Sequence, residues 1–136
     1  MSITGLEHVL ILAEDIEQSR DFYTVVGLRA GERPPLEFPG YWMYAGLTPC
    51  LHIADRAAYC AHASRLGLGV PAGPPGPGRV DHIAFTASDY EAVRDRLDRS
   101  GVTAKHNSVP DAGLLQLFIE DPNGVRVEIN VRGSQT

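Results

Sequence analysis

The 136-residue chain lacks most of the features that assign a sequence quickly to a class. It has a single lysine, Lys105, and its 12 basic residues are outnumbered by 17 acidic ones, for a formal charge of −5. Affinity for phosphate backbones needs clustered Lys and Arg, so no nucleic-acid partner is expected. No apolar run approaches the roughly 20 residues that a membrane-spanning helix needs, so no membrane partner is expected either. The opening MSITGLEHV has neither a basic n-region nor an apolar h-region, which predicts a protein without a secretory leader, cytoplasmic in location. Two cysteines, Cys50 and Cys60, cannot build a disulfide framework. What is present is globular: 43% hydrophobic and 21% charged residues exclude a disordered or fibrous chain. The length suits one domain, or two half-size modules sharing a core.

The sequence repeats itself. Shifted by 74 positions, LEHVLILAEDIEQSRDFYTVVGLRA at 6–30 falls without a gap on VDHIAFTASDYEAVRDRLDRSGVTA at 80–104. Identical pairs include His8/His82, Asp15/Asp89, Arg20/Arg94 and Gly27/Gly101, and most other positions near the start of the match set apolar on apolar. This spacing predicts two copies of one module, about 5–54 and 80–131, within a single domain.

Each copy opens on a short run of branched and aromatic residues, His8–Leu12 and His82–Thr86, which reads as a strand. A helix follows. In the first copy Asp15 is the expected N-cap, Ile16, Tyr23 and Val26 the buried stripe, and Gly27 the stop. In the second, Ser88 and Glu91 form an S-x-x-E capping box, which predicts Ser88 as the cap, with Tyr90, Val93 and Leu97 as the stripe and Gly101 as the stop. Three more strands are expected in each copy, near 28–31, 41–45 and 49–53, then 103–106, 114–119 and 125–131. Asp121-Pro122-Asn123-Gly124 is turn chemistry and makes the last two a hairpin. Between the copies, DRAAYCAHASRLG has helix-forming alanines behind an Asp that could cap it, and VPAGPPGPGR reads as a linker. The expected fold is α+β: two tandem β-α-β-β-β modules sharing one eight-stranded mixed sheet that curves around a central cleft.

Histidines mark the chemistry. His8 and His82 open equivalent strands. CLHIA at 50–54 aligns with RVEIN at 126–130 at a spacing of 76, which pairs His52 with Glu128. On the two-residue period, Glu128 lies opposite Val127 and Ile129, and His52 opposite Leu51 and Ile53. Three imidazoles and a carboxylate are borderline nitrogen and oxygen donors, suited to Fe2+, Mn2+, Ni2+, Co2+ or Zn2+ rather than Ca2+ or Mg2+. Two His and one carboxylate on one face of a metal leave positions open for substrate. Trp42 and Tyr44 could line an aromatic pocket or simply pack a strand. Cys50 shares the face of His52, and His62 and His106 read as surface residues.

The motifs LEHVLILAEDIEQSRDFY, VDHIAF and FIEDPNGVRVEINV resemble those of the vicinal oxygen chelate superfamily. That superfamily includes glyoxalase I, bleomycin-resistance proteins, fosfomycin-resistance enzymes, methylmalonyl-CoA epimerase and extradiol dioxygenases, and the resemblance spans about residues 5–131. It implies that the curved, eight-stranded mixed sheet is U-shaped around a metal-binding cleft, with His8, His82 and Glu128 as metal ligands on the first, fifth and eighth strands. His52, on the fourth, stands where glyoxalase-like members carry a fourth ligand and extradiol enzymes an acid–base histidine. The place where extradiol enzymes present a tyrosine on the seventh strand corresponds to Phe118. The resemblance implies one divalent metal per chain, Fe2+ or Mn2+ favoured and Zn2+, Ni2+ or Co2+ possible, a small-molecule substrate with vicinal oxygens, and a homodimer. An extradiol-type dioxygenase is the first expectation. The alternatives are a glyoxalase-type lyase, isomerase or epimerase, and a non-catalytic binding protein like those of bleomycin resistance.

Overall fold

The structure is a computed structural model that describes residues 5–68 and 80–133. The chain forms two compact units, residues 1–74 and 75–136. The first contains β1 (Val9–Ala13), α1 (Ile16–Val26), β2 (Arg29–Gly31), β3 (Gly40–Ala45), β4 (Thr48–Asp55) and α2 (Arg56–Arg65). The second contains β5 (His82–Ala87), α3 (Tyr90–Arg99), β6 (Lys105–Val109), a 3-10 turn at Pro110–Ala112, β7 (Leu114–Glu120) and β8 (Arg126–Arg132). All eight expected strands are present, as two four-stranded mixed sheets in an α+β fold. The sheet orders are β1-β4-β3-β2 and β5-β8-β7-β6, the same topology twice, as the repeat predicts. In each sheet the first and last strands of the module run parallel and the other neighbours antiparallel. The whole of the Pro/Gly linker VPAGPPGPGR, 70–79, lies outside the described residues. Among the described residues no helix is long and apolar enough to cross a membrane.

Helix boundaries follow from capping. Asp15 accepts from the Gln18 amide at 3.0 Å, and Gly27 ends α1 at φ 128°, a region that favours glycine. Asp55 caps α2 through the Ala58 amide at 2.9 Å, so the alanine-rich stretch after the first module is the expected helix. The N-cap of α3 is Asp89 rather than Ser88: its carboxylate accepts from the Ala92 amide at 3.1 Å. Asp89 is the repeat partner of Asp15, and an anionic oxygen at a helix N-terminus gains from the helix dipole as well as the hydrogen bond.

One face of each sheet makes the core. Ile11, Met43, Leu51 and Ile53 are buried in the first unit with Tyr23 and Val26 of α1. Leu117, Ile119, Val127, Ile129 and Val131 are buried in the second with Val93 and Leu97 of α3. Full burial of a Leu or Ile side chain stabilises by roughly 1.5–3 kcal/mol. A one-residue slip would expose the whole set, so the apolar alternation pins the register. The same alternation places His52 and Glu128 on the opposite face. The β7–β8 hairpin is fixed by Asp121, whose buried carboxylate accepts from the amides of Asn123 and Val125, both at 2.8 Å. Asp121→Ala leaves two buried donors without that acceptor and is expected to lower unfolding free energy by about 1–3 kcal/mol in urea titration.

Candidate metal centre

The first unit brings His8 and His52 together. His8 stands immediately before β1, and its Nδ1 lies 2.8 Å from Glu7 Oε1. His52 is paired across the sheet with Leu10 on one side and Trp42 on the other. Its ring is sandwiched: His8 stacks on it at 3.8 Å between centroids and 13° between planes, Trp42 at 4.1 Å and 8°. His52 Nε2 lies 3.1 Å from the carbonyl oxygen of Pro49. A carbonyl can only accept, so Nε2 carries the proton and Nδ1 is the basic nitrogen. Burial, and then the neighbouring His8, push the imidazole below its ordinary pKa, against the opposing bond to Pro49.

The second unit brings His82 and Glu128 together. His82 Nδ1 lies 2.8 Å from Asp81 Oδ2, and Arg126 donates to the same oxygen at 2.9 Å. The bond from His82, reinforced by the charge of Arg126, holds the Asp81 carboxyl below the usual carboxylate range. Glu7–His8 and Asp81–His82 are thus the same pair seen twice, 74 residues apart. In both, the carboxylate accepts from Nδ1–H, which makes Nε2 the nitrogen that carries the lone pair whenever the ring is neutral, the usual orientation of a metal-binding histidine. His82 Nε2 lies 3.4 Å from Glu128 Oε1. The Glu128 side chain is only 14% exposed, and its other oxygen, Oε2, accepts from Asn130 Nδ2 at 2.7 Å and from Gln116 Nε2 at 3.4 Å.

These donors fit a divalent transition metal. Nitrogen and oxygen ligands bound at about 2.1 Å, and separated by right to tetrahedral angles, lie about 3.0–3.4 Å from one another. The His82 Nε2–Glu128 Oε1 distance of 3.4 Å falls at the upper end of that range. Among the described residues, no group of three or more His, Cys, Asp and Glu side chains stands close enough to hold a metal ion. The structure therefore brings together two pairs, His8 with His52 and His82 with Glu128.

Of the other residues singled out in the sequence, Trp42 packs on His52, whereas Tyr44 is turned to structure, its hydroxyl donating to the Glu32 carbonyl at 2.6 Å. Cys50 is a free, half-buried thiol. His62 is partly covered, with Nδ1 2.8 Å from Glu37 and its ring against Phe38. His106 pairs with the Tyr90 hydroxyl. Five residues of the two pairs' surroundings escaped the sequence reading: Glu7, Asp81, Asn107, Gln116 and Asn130. The first two carried a signal, since acid falls on acid directly before each repeated histidine. The amides carried none without strand register.

The chain matches the model of the glyoxalase/bleomycin resistance protein/dioxygenase superfamily over residues 5–129. It is 28% identical over 134 residues to the Arabidopsis thaliana protein named Glyoxylase I 4, covering 95% of this chain and 71% of that one. Its fold is similar to that of lactoylglutathione lyase from Agrobacterium tumefaciens, with a TM-score of 0.67 at 19% identity over 96% of each chain. A genomically encoded fosfomycin resistance protein from Listeria monocytogenes has a TM-score of 0.65 at 16% identity, over 98% of this chain and 96% of that one. At such identities the structural likeness establishes the fold alone. With nearly all of both modules inside the matched span, the chain belongs to the glyoxalase/bleomycin resistance protein/dioxygenase superfamily, the vicinal oxygen chelate proteins, whose members bind small-molecule substrates and are generally divalent-metal-dependent.

Proposed function

We propose that this chain is a divalent-metal-dependent enzyme acting on a small molecule with two adjacent oxygens, with His8, His82 and Glu128 as metal ligands and His52 as the acid–base residue. The observation that carries this reading is the His82–Glu128 pair, two donors at ligand spacing with their non-coordinating atoms already engaged. Two imidazoles and a carboxylate favour Fe2+ or Mn2+ and also suit Zn2+, Ni2+ or Co2+. Such a cation, when bound, supplies Lewis-acid polarisation of a substrate oxygen. The protein's own contribution is orientation and proton transfer. Glu7 and Asp81 fix the two histidine tautomers. His52, held in one plane by His8 and Trp42 and kept neutral by burial, accepts a substrate proton at Nδ1.

Extradiol-type ring cleavage of a catechol is the first reading within this class, supported by the His/His/Glu set and a histidine on β4. A glyoxalase-type lyase, isomerase or epimerase is the second. It is favoured by Phe118, which stands directly across from Glu128 where the extradiol pattern carries a tyrosine, and by the name of the Arabidopsis relative. The proposal includes a homodimer and a cytoplasmic location.

Anaerobic metal analysis combined with oxygen uptake on a catechol panel tests the first reading. The expected result is about one Fe2+ or Mn2+ per chain with oxygen consumption. Bound Zn2+, Ni2+ or Co2+ without oxygen uptake, together with solvent deuterium entering the α-carbon of 2-hydroxyacyl thioesters, would replace it with the second. Absence of any metal after purification free of chelators would overturn both and leave a small-molecule binding protein.

A further inference from the structure

We propose that Asn107, Gln116 and Asn130 form a one-way hydrogen-bond chain that ends on Glu128, and that Gln116 is the positioning residue that makes Glu128 present Oε1 alone to a metal. This rests on the reading of Glu128 as a ligand.

The direction of the chain is forced by chemistry. A carboxylate oxygen only accepts, so the amide group that Asn130 turns to Glu128 Oε2, at 2.7 Å, is its NH2. Asn130 Oδ1 is then left facing Gln116, whose Nε2 donates to it at 3.1 Å and to Glu128 Oε2 at 3.4 Å. Gln116 Oε1 in turn accepts from Asn107 Nδ2 at 2.8 Å. Asn107, Gln116 and Asn130 are direct cross-strand partners in one row over β6, β7 and β8. Every donor in the row points towards the carboxylate. Aligned amides polarise one another, so the last donor is strengthened. Both donors reach Oε2, and Oε1 is left turned to His82 Nε2.

The first unit supplies an internal comparison. At a spacing of 76, Gln116 corresponds to Gly40, Asn130 to Ala54 and Glu128 to His52. Gly40 and Ala54 are cross-strand partners, as Gln116 and Asn130 are. No side chain fits at Gly40, where a Cβ would run into the Ile53 carbonyl oxygen. The amide chain therefore exists only in the module whose fourth strand carries a carboxylate. Where the equivalent residue is His52, stacked rings hold it instead.

The test is titration of the metal-free full chain with Co2+, read by the visible absorption of the bound ion, with thermal melting alongside. Wild type, Gln116→Glu, Gln116→Met and Glu128→Ala are compared. Gln116→Glu puts an acceptor where the chain needs a donor, and Gln116→Met keeps the length but removes both polar atoms. Each is expected to weaken Co2+ binding by about tenfold and to alter the spectrum, because a released Oε2 changes the coordination. Glu128→Ala is expected to abolish binding. Wild-type affinity and spectrum in both Gln116 variants, with binding lost in Glu128→Ala, would overturn the positioning role and spare the ligand. The same holds if those variants lose only melting temperature. Undiminished binding in Glu128→Ala would overturn the ligand reading and this inference with it. Should Gln116→Glu fail to fold, Gln116→Met decides.

Discussion

Glu128→Ala is expected to abolish metal binding while the chain stays folded. The substitution removes the one proposed anionic ligand and leaves two neutral imidazoles, whose hold on a divalent ion lacks charge neutralisation. The core does not depend on the side chain. Glu128 projects from the face opposite Val127 and Ile129, which stay buried, and its backbone pairing with Ala84 and Phe118 is unaffected. The cost falls on Asn130 and Gln116, which lose their acceptor. Both are half-buried rather than sealed, so water can take its place and the penalty stays near the low end of about 1–3 kcal/mol. Far-ultraviolet circular dichroism should match wild type, while metal content after dialysis falls to background. Metal retained at wild-type affinity would sink the ligand assignment, and loss of the folded signal would show that Glu128 serves the fold.

Most of the architecture was legible because it is written twice. Two copies that share His, Asp, Arg and Gly at one spacing must share strand order, and the two sheets do. The faces were legible as well, since apolar alternation along β4 and β8 dictates which side is buried. Capping was legible where chemistry and position agreed, at Asp15 and Asp55. It failed at Ser88, because the S-x-x-E pattern competes with an aspartate one residue on that binds the helix start more strongly. The environment of the candidate ligands was only half legible. Glu7 and Asp81 are sequence neighbours of the histidines they orient. Asn107, Gln116 and Asn130 meet only through cross-strand register, and no periodicity announces a register between strands. The stacking of His52 is hidden for the same reason: alternation gives its face, but the pairing of β4 with β3 is what sets Trp42 beside it.

The sandwich around His52 separates its proposed chemistry from its packing. His52→Phe keeps an aromatic ring between His8 and Trp42 but removes both nitrogens. It is expected to retain metal and melting temperature close to wild type while kcat falls about 10^2–10^4-fold, the usual contribution of a positioned acid–base group. His52→Ala is expected to lose the same activity and also to release both neighbouring rings, which are held at 3.8 and 4.1 Å in the intact stack. Metal affinity should then fall in the alanine variant alone, because His8 loses the surface that fixes its plane. The comparison distinguishes three roles for one residue. Equal metal loss in both variants would make His52 a fourth ligand. Full activity in His52→Phe would reduce it to a spacer. Activity lost with metal kept would leave proton transfer at Nδ1 as its role, since the Nε2 proton is already committed to the Pro49 carbonyl.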